Sequence, residues 1–255
     1  MFRKRPIRPD LDARLRAFRF SPSCLSRLTA LAMLAISGSA AAQVSGSVSL
    51  VSNYIYRGSS FSNDNPEAQL NLTADFDSGW FAGLFVSPVD LPGIHGQAIA
   101  YGGYAHQWTG ELSWEAGVSE SAYTGGTSQN YTEAFVGLST DRLNGRLYYS
   151  PNYLGDGVRS IYGELNYNVP LTEKLRFTAH VGYLDVGLRD DASHKDSHGD
   201  TRVGLAYHAG DWNLQWALAS VRETAVYAYR AYDNTYYYQR VTRHYAGVFD
   251  ASWNF

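Results

Sequence analysis

The chain has 255 residues, of which 21 are Lys or Arg, 24 are Asp or Glu and one is cysteine. Its formal net charge of −3 argues against a nucleic-acid-binding surface, and a single cysteine excludes an internal disulfide framework. The length fits one domain, and the 6 Trp, 20 Tyr and 11 Phe residues, with 24 Gly and only 8 Pro, are typical of a β-barrel.

Residues 1–42 have the pattern of a secretory signal peptide. Eight Lys or Arg residues precede an apolar run over residues 28–36, and Ala40 and Ala42 occupy the A-x-A positions of a cleavage site. The run is too short for a membrane-spanning helix. We therefore predict a signal peptide over 1–42 and a mature domain over 43–255. Cleavage removes those eight basic residues, two acidic residues and Cys24, which leaves 13 basic and 22 acidic residues and a net charge of −9.

The mature sequence consists of short segments in which apolar and polar residues alternate with the period of two that is typical of strands. Residues 111–119 show it most clearly, because Leu112, Trp114 and Val118 alternate with residues such as Glu115. The same pattern predicts strands over residues 44–57, 70–76, 80–87, 97–107, 133–138, 161–169, 175–183, 202–208, 212–218 and 245–255, and another strand that ends at Ser150.

The connections between these segments alternate in length. Longer loops are predicted over residues 59–66, 88–96, 124–130, 152–157 and 189–199, and tight turns separate the other segments. The Tyr- and Arg-rich segment 221–244 is predicted to extend the last two strands around a hairpin tip at Asp233-Asn234, with a surface loop as the alternative. Either interpretation gives twelve strands. An even count places the chain end at the rim where the mature chain starts, with the short turns at that rim.

The terminal strand indicates the kind of barrel. Tyr245, Phe249, Trp253 and Phe255 share one face, while Asp250 lies on the other. This alternation is typical of a strand between lipid and a polar interior, although the last strand of a soluble sandwich or lipocalin-like barrel is the alternative. No apolar run in the mature chain approaches the ~20 residues of a spanning helix. We therefore predict an all-β, closed antiparallel transmembrane β-barrel of about 12 strands in the bacterial outer membrane.

Four stretches of the mature chain carry a family resemblance. They are Asn53-Tyr54-Ile55-Tyr56-Arg57-Gly58-Ser59-Ser60 followed by Pro66, Trp80-Phe81-Ala82-Gly83 with Val89-Asp90, Tyr131-Thr132-Glu133-Ala134-Phe135-Val136-Gly137, and Tyr148-Tyr149-Ser150-Pro151-Asn152-Tyr153. On these motifs the chain resembles the TorF-type family of proteobacterial porins over nearly all of its mature length. The resemblance implies an outer-membrane channel. Phe255 also resembles the final residue that bacterial outer-membrane proteins present to the barrel-assembly machinery, which would be a partner during biogenesis.

A channel of this kind needs polar side chains around its lumen. The candidate pore-lining residues are Asp75, Glu115, Glu133, Arg146, Glu164, Arg176, His180, Arg202 and Asp250, and the candidates for the barrel-closing strand are Tyr245, Phe249, Trp253 and Phe255. Barrels of ~8 strands are filled by side chains and those of ~16 strands hold an open channel, so twelve strands predict a narrow path for passive diffusion of small solutes. A slight excess of carboxylates in this lining predicts a weak preference for cations.

The sequence leaves two other functions open. The Tyr- and Arg-rich hairpin over 222–243 could bind a surface partner, since Tyr and Arg are favoured at binding hot spots. The second is an outer-membrane lipid hydrolase, but the sequence has no G-x-S-x-G, H-E-x-x-H, P-loop or dinucleotide motif. His194 and His198 lack a third ligand for a metal. We therefore predict no enzyme activity, no metal and no cofactor, with membrane lipids and small solutes as partners and no nucleic acid.

Overall fold

The computed structural model describes residues 42–125, 129–187, 194–231 and 234–255 of the chain. The predicted signal peptide lies outside these residues except for Ala42, so it stays a prediction, as does the division into residues 1–42 and 43–255. Among the described residues, no helix is long and apolar enough to cross a membrane.

Twelve antiparallel strands close into a barrel in which each strand lies beside its neighbours in the chain. The predicted fold class is therefore confirmed. In chain order the strands are β1 (Ala42–Val51), the short β2 (Ile55–Tyr56) and β3 (Ser59–Ser60), β4 (Glu67–Phe76), β5 (Trp80–Leu91), β6 (Ile94–Thr109), β7 (Leu112–Thr124), β8 (Tyr131–Ser139), β9 (Leu143–Tyr153), β10 (Val158–Pro170), β11 (Leu175–Val186), β12 (His194–Ala209), β13 (Trp212–Ala231) and β14 (Asn234–Asn254). The short strands β2 and β3 pair only with each other and are not part of the wall.

Closure of the barrel depends on the first and last strands. β1 pairs with β4 over ten residue pairs and with β14 over five. Beyond the end of β14, Gly46 and Phe255 exchange two backbone hydrogen bonds of 2.9 and 3.0 Å. Over the height of this seam the wall has the continuous backbone pairing that a lipid environment requires.

The outer face of the wall is apolar and the inner face is polar. On β9 and β10, Leu147 and Leu165 point outward and are exposed, whereas their neighbours Arg146 and Glu164 line an internal cavity. A soluble barrel has the opposite arrangement, with apolar side chains filling its centre. The barrel is therefore of the membrane type, and the soluble alternative is excluded.

Large aromatic residues surround the rim that holds Ala42 and Phe255, which we call the terminal rim. The exposed aromatic side chains at this level include Trp80, Trp108, Trp212, Trp253 and Phe255. Aromatic rings are enriched where a membrane protein meets the membrane–water interface. The terminal rim therefore marks one surface of the membrane, and we call the opposite end of the barrel the distal rim.

One connection at the distal rim differs from the sequence-based prediction. The loop predicted over 88–96 is wrong, because β5 continues to Leu91 and β6 begins at Ile94, after a two-residue turn in which Gly93 has a φ of 77°. Pro88 suggested a loop because proline donates no ladder hydrogen bond. It lies at an irregularity in the pairing of β5 with β6, where a proline is tolerated.

Two later segments are more extended than a loop would be. β12 begins at His194, so the charged loop predicted over 189–199 is shorter than expected. The Tyr- and Arg-rich segment 221–244 forms the distal part of the hairpin of β13 and β14, which is paired up to Ala231 and Asn234. The strand interpretation of that segment is confirmed, and the surface-loop alternative is wrong.

Inward-facing glycines should be essential where an aromatic ring lies flat against the wall. A Cβ added at Gly117 would overlap the carbonyl oxygen of Gly102 and lie 2.6 Å from the Phe135 ring, whereas a Cβ at Gly247 would meet no atom within 4 Å. We expect Gly117→Ala to lower the free energy of unfolding by about 1–3 kcal/mol through overpacking. The matched variant Gly247→Ala should leave it almost unchanged. Urea unfolding in lipid vesicles measures both, and equal stabilities would contradict this packing account.

Candidate functional site

After β1 the chain turns into the barrel instead of continuing along the wall. Residues 44–57 were predicted as one strand, but β1 ends at Val51 and residues 52–66 form an inserted loop that carries β2 and β3. The loop is folded on itself, since the Phe61 amide donates to the Tyr54 carbonyl over 2.7 Å. Arg57 and Gly58 have φ values of 48° and 82°, and this left-handed pair reverses the chain at the tip of the loop.

Buried polar contacts attach the inserted loop to one side of the barrel. The Tyr54 hydroxyl donates to Gln97 Oε1 on β6 over 2.8 Å, and the Asp90 amide on β5 donates to the Phe61 carbonyl over 2.7 Å. Burial raises the pKa of the Tyr54 phenol well above its usual range, so this hydroxyl remains a donor at neutral pH. These contacts fix the base of the loop close to β5 and β6.

At its tip the loop forms an ion pair with the far wall. Arg57 Nη1 and Nη2 donate to Glu133 Oε1 and Oε2 over 2.8 and 2.6 Å, and the two side chains are only 6% and 3% exposed. Glu133 lies on β8, which is five strands away from β1 around the barrel. The loop therefore crosses the lumen and is attached on both sides.

Three tyrosine rings surround the Arg57 guanidinium. Its central carbon lies 5.1 Å from the ring centroid of Tyr56, 5.0 Å from that of Tyr148 and 4.7 Å from that of Tyr162. Each distance is within the ~6 Å over which a cation is attracted to an aromatic face. We call Glu133, Tyr56, Tyr148 and Tyr162 the arginine cage.

The inserted loop divides the lumen into separate cavities. The main cavity has a volume of about 350 Å³, a distal cavity beside Glu223 and His244 has about 290 Å³, and a small cavity beside Gln69 and Asp250 has about 110 Å³. Ile55 lines all three. A solute that moves between these cavities therefore passes beside Ile55 and the loop that carries it.

Charged side chains in and beside the main cavity are mostly paired. Arg146 forms a bidentate ion pair with Glu115, and His180 Nε2 lies 2.7 Å from Asp200 Oδ1. Pairing is expected here because an unpaired charge in a narrow, partly dehydrated lumen is costly. The remaining charged lining residues, Glu164 and Arg202, have no ion-pair partner within 4.0 Å among the described residues.

An arc of aromatic rings covers the wall of the main cavity from β5 to β10. The ring centroids lie 6.3 Å apart for Phe81 and Phe135, 5.7 Å for Phe135 and Tyr148, and 6.0 Å for Tyr148 and Tyr162. Glycines on neighbouring strands leave room for these rings, as Gly117 does for Phe135. The main cavity therefore combines apolar ring faces with paired charges.

The structure places the sequence-predicted pore-lining residues at different levels. Glu133, Arg146, Glu164, His180 and Arg202 line the main cavity, Glu115 pairs with Arg146, and Asp250 lines the small cavity together with Arg202. Asp75 and Arg176 lie near the terminal rim, are exposed and line none of the three cavities. Of the barrel-closing candidates, Tyr245, Trp253 and Phe255 are exposed on the outer wall, and Phe249 packs on Trp216 with centroids 5.3 Å apart.

Sequence reasoning missed five residues of this site: Tyr56, Arg57, Tyr148, Tyr162 and Asp200. Arg57 was placed at the end of a wall strand, and the only local break signal beside it is Gly58. Asp200 fell between the loop predicted over 189–199 and the strand predicted over 202–208, so it was assigned to neither. Tyr148 and Tyr162 alternate along their strands in phase with the lumen-facing residues, but aromatic residues in a membrane barrel were expected on the outer face.

Comparison with known proteins agrees with this architecture. A family model described as a bacterial protein of unknown function (Gcw_chp) matches residues 35–247. The chain belongs to this family. No curated protein matches it by sequence.

Three solved structures are similar to this chain. The KdgM porin is 14% identical with a TM-score of 0.50, and the match covers 83% of this chain and 99% of that chain. KdgM porin in complex with disordered oligogalacturonate is 13% identical with a TM-score of 0.47, covering 83% and 98%. The Pseudomonas putida toluene transporter TodX is 13% identical with a TM-score of 0.37, covering 88% and 92%. The closed barrel and the match to the KdgM porin show that the Gcw_chp chain has the fold of a bacterial outer-membrane barrel, as its sequence predicted.

The described residues contain no group of three or more His, Cys, Asp or Glu side chains placed to hold a metal ion. His198 Nδ1 lies 3.3 Å from Ser59 Oγ of the inserted loop. This contact gives His198 a role in holding the loop.

Removing one partner of the ion pair at the loop tip should be strongly destabilising because both side chains are buried. We expect Arg57→Ala to lower the free energy of unfolding by about 3–5 kcal/mol, since it leaves the Glu133 carboxylate buried and unpaired. Adding Glu133→Gln to that variant should recover part of the loss. The comparison variant Arg146→Ala should cost less, because the Arg146 side chain is 36% exposed and water screens its pair. Urea unfolding of the parent protein and the three variants tests this, and equal losses for both arginine variants would contradict it.

Proposed function

We propose that this protein is an outer-membrane channel for passive diffusion of small solutes. The observation that carries the proposal is a closed twelve-stranded barrel with an apolar outer wall and a polar, partly empty lumen. The fold shared with the KdgM porin and the resemblance to TorF-type porins support it. Short turns are periplasmic in barrels of this class, so the terminal rim would face the periplasm and the distal rim the outside.

The inserted loop supports a narrow channel with small conductance. It crosses the lumen from β1 to β8 and separates the main cavity from the distal cavity. A twelve-stranded barrel without such a loop has a wider lumen. The proposed solutes are therefore small.

A weak preference for cations also belongs to the proposal. The arginines of the main cavity, Arg57, Arg146 and Arg202, are balanced by Glu133, Glu164 and Asp200. Glu115 and Asp250 lie just outside this set, and one carboxylate and one arginine, Asp75 and Arg176, are exposed near the terminal rim. The excess of carboxylates along the path gives a slightly negative lining, which favours cations.

Planar-bilayer recordings test the channel and its selectivity. We expect discrete conductance steps and, in a KCl gradient, a reversal potential on the side of weak cation preference. Asp75→Asn combined with Glu164→Gln should move the reversal potential toward zero because it removes two carboxylates from the path. Absence of conductance would contradict the channel proposal. Clear anion selectivity that survives Arg176→Ala and Arg202→Ala would contradict the cation preference.

Removing the obstruction should enlarge the channel. We expect replacement of residues 54–61 by a two-residue Gly-Ser linker to raise the single-channel conductance severalfold, since the loop divides the lumen. A deletion of residues 224–239, at the distal end of β13 and β14, serves as the control and should leave the conductance unchanged. An unchanged conductance after the loop replacement would show that solutes take another path.

The deletion of residues 224–239 also separates the channel function from a surface-binding function. The length of the β13–β14 hairpin favours a surface-binding function, because β14 is 21 residues long while its neighbour β1 has only ten. The hairpin thus extends well past the seam with β1. A variant without residues 224–239 that conducts normally but loses binding to bacterial or host surface sugars would establish an adhesive role for the hairpin.

A further inference from the structure

The arginine cage has the construction of a ligand-binding site. A carboxylate receives two parallel hydrogen bonds from one guanidinium, and three aromatic faces lie within 5.1 Å of its central carbon. Bidentate pairing and ring contacts are the two interactions by which proteins select guanidinium over other cations. Here the occupant is Arg57, a residue of the same chain.

Most of the cage belongs to the rigid wall. Glu133, Tyr148 and Tyr162 lie on the consecutive strands β8, β9 and β10. The Tyr148 and Tyr162 rings pack with centroids 6.0 Å apart, and the Tyr162 hydroxyl lies 3.5 Å from Asp200 Oδ2 on β12. Only Tyr56 is supplied by the inserted loop. These wall contacts do not involve Arg57, so they hold three sides of the cage in place without it.

The cage also adjoins open space. Glu133, Tyr148 and Tyr162 all line the main cavity. A small solute in that cavity therefore reaches the cage without crossing the wall. If Arg57 is removed or withdrawn, its place becomes a recess of the main cavity.

The geometry favours one class of ligand. A guanidinium is planar, weakly hydrated and able to donate two parallel hydrogen bonds to a carboxylate, while an alkylammonium is a compact and strongly hydrated point charge. The faces of the Tyr148 and Tyr162 rings, which are tilted by 38° to each other, both lie against the guanidinium carbon and attract a flat cation. Inorganic cations gain nothing from the ring faces beyond their charge.

We propose that Glu133, Tyr148 and Tyr162 form a lumenal binding site for guanidinium-bearing solutes, and that Arg57 occupies it as a tethered ligand that holds the inserted loop across the barrel. A solute of this class competes with Arg57 and releases the loop tip. The effect on transport rests on the proposed channel function, but the binding site itself does not.

Chemical rescue of an Arg57→Ala variant tests the site directly. In detergent, methylguanidinium at millimolar concentrations should raise the unfolding temperature of this variant by about 3 °C, and methylammonium at the same concentration should not. The double variant Arg57→Ala/Glu133→Gln should not respond, because it lacks the carboxylate. Arg146→Ala, which vacates the partly exposed pair with Glu115, should respond weakly or not at all. No difference between the two cations in Arg57→Ala overturns the proposal.

A current measurement tests the same site during conduction. Methylguanidinium should reduce the current through Arg57→Ala channels, with methylammonium as the control. Stabilisation without any conductance in the variant or the parent protein supports the site and overturns the channel function. Conductance without stabilisation by methylguanidinium supports the channel function and overturns the binding site.

The parent protein provides the test if Arg57→Ala does not fold. A tethered Arg57 competes at an effective concentration in the millimolar range or above, so methylguanidinium at tens of millimolar should increase the parent current by releasing the loop tip. Methylammonium should leave it unchanged. In that case, equal currents with the two cations overturn the proposal.

Discussion

The fold of this protein depends on the need to pair every backbone N–H and C=O group that meets lipid. A sheet satisfies that need only by closing on itself, and here closure is made where β1 meets β14 and where Gly46 and Phe255 exchange hydrogen bonds. Once the ring is closed, the period of two in each strand fixes which side chains face lipid and which face the lumen. The apolar outer wall and the polar inner wall follow from one pairing pattern.

A closed barrel of this size creates a second constraint inside. Polar side chains brought into a narrow lumen lose much of their hydration, so each charge must find a partner or remain near water. The inner wall shows both outcomes: Arg57 and Glu133 are buried and paired, while Asp75 is exposed near the terminal rim. The inserted loop is stable in the lumen because its one charged residue at the tip meets a carboxylate on the opposite wall.

The sequence was sufficient to predict the strands of the wall, but it did not predict which residues meet inside the lumen. Alternation such as that around Glu115 predicts strands, parity and even the strand count, because lipid on one side imposes the pattern on every strand. The loop predicted over 88–96 was wrong, since Pro88 was interpreted as a strand breaker. Proline is tolerated there because it lies at an irregular point of the β5–β6 pairing. Arg57 could not be placed from the sequence. Its partner Glu133 is 76 residues away along the chain, and no local pattern reports a contact formed across the barrel.

The position of the inserted loop connects these two constraints to function. The loop starts where β1 stops, after only ten residues, and this early exit from the wall sends the motif from Asn53 to Ser60 into the lumen. The wall supplies rigidity, because the cage residues Glu133, Tyr148 and Tyr162 are carried by strands that are paired on both sides. The loop supplies the movable part, because its strands β2 and β3 do not pair with the wall and its tip is held by side-chain contacts of Tyr56, Arg57 and Ser59. The wall is thus a rigid receptor that holds Arg57 as a tethered cation. A solute that competes with Arg57 can change the width of the lumen without any change in the barrel itself.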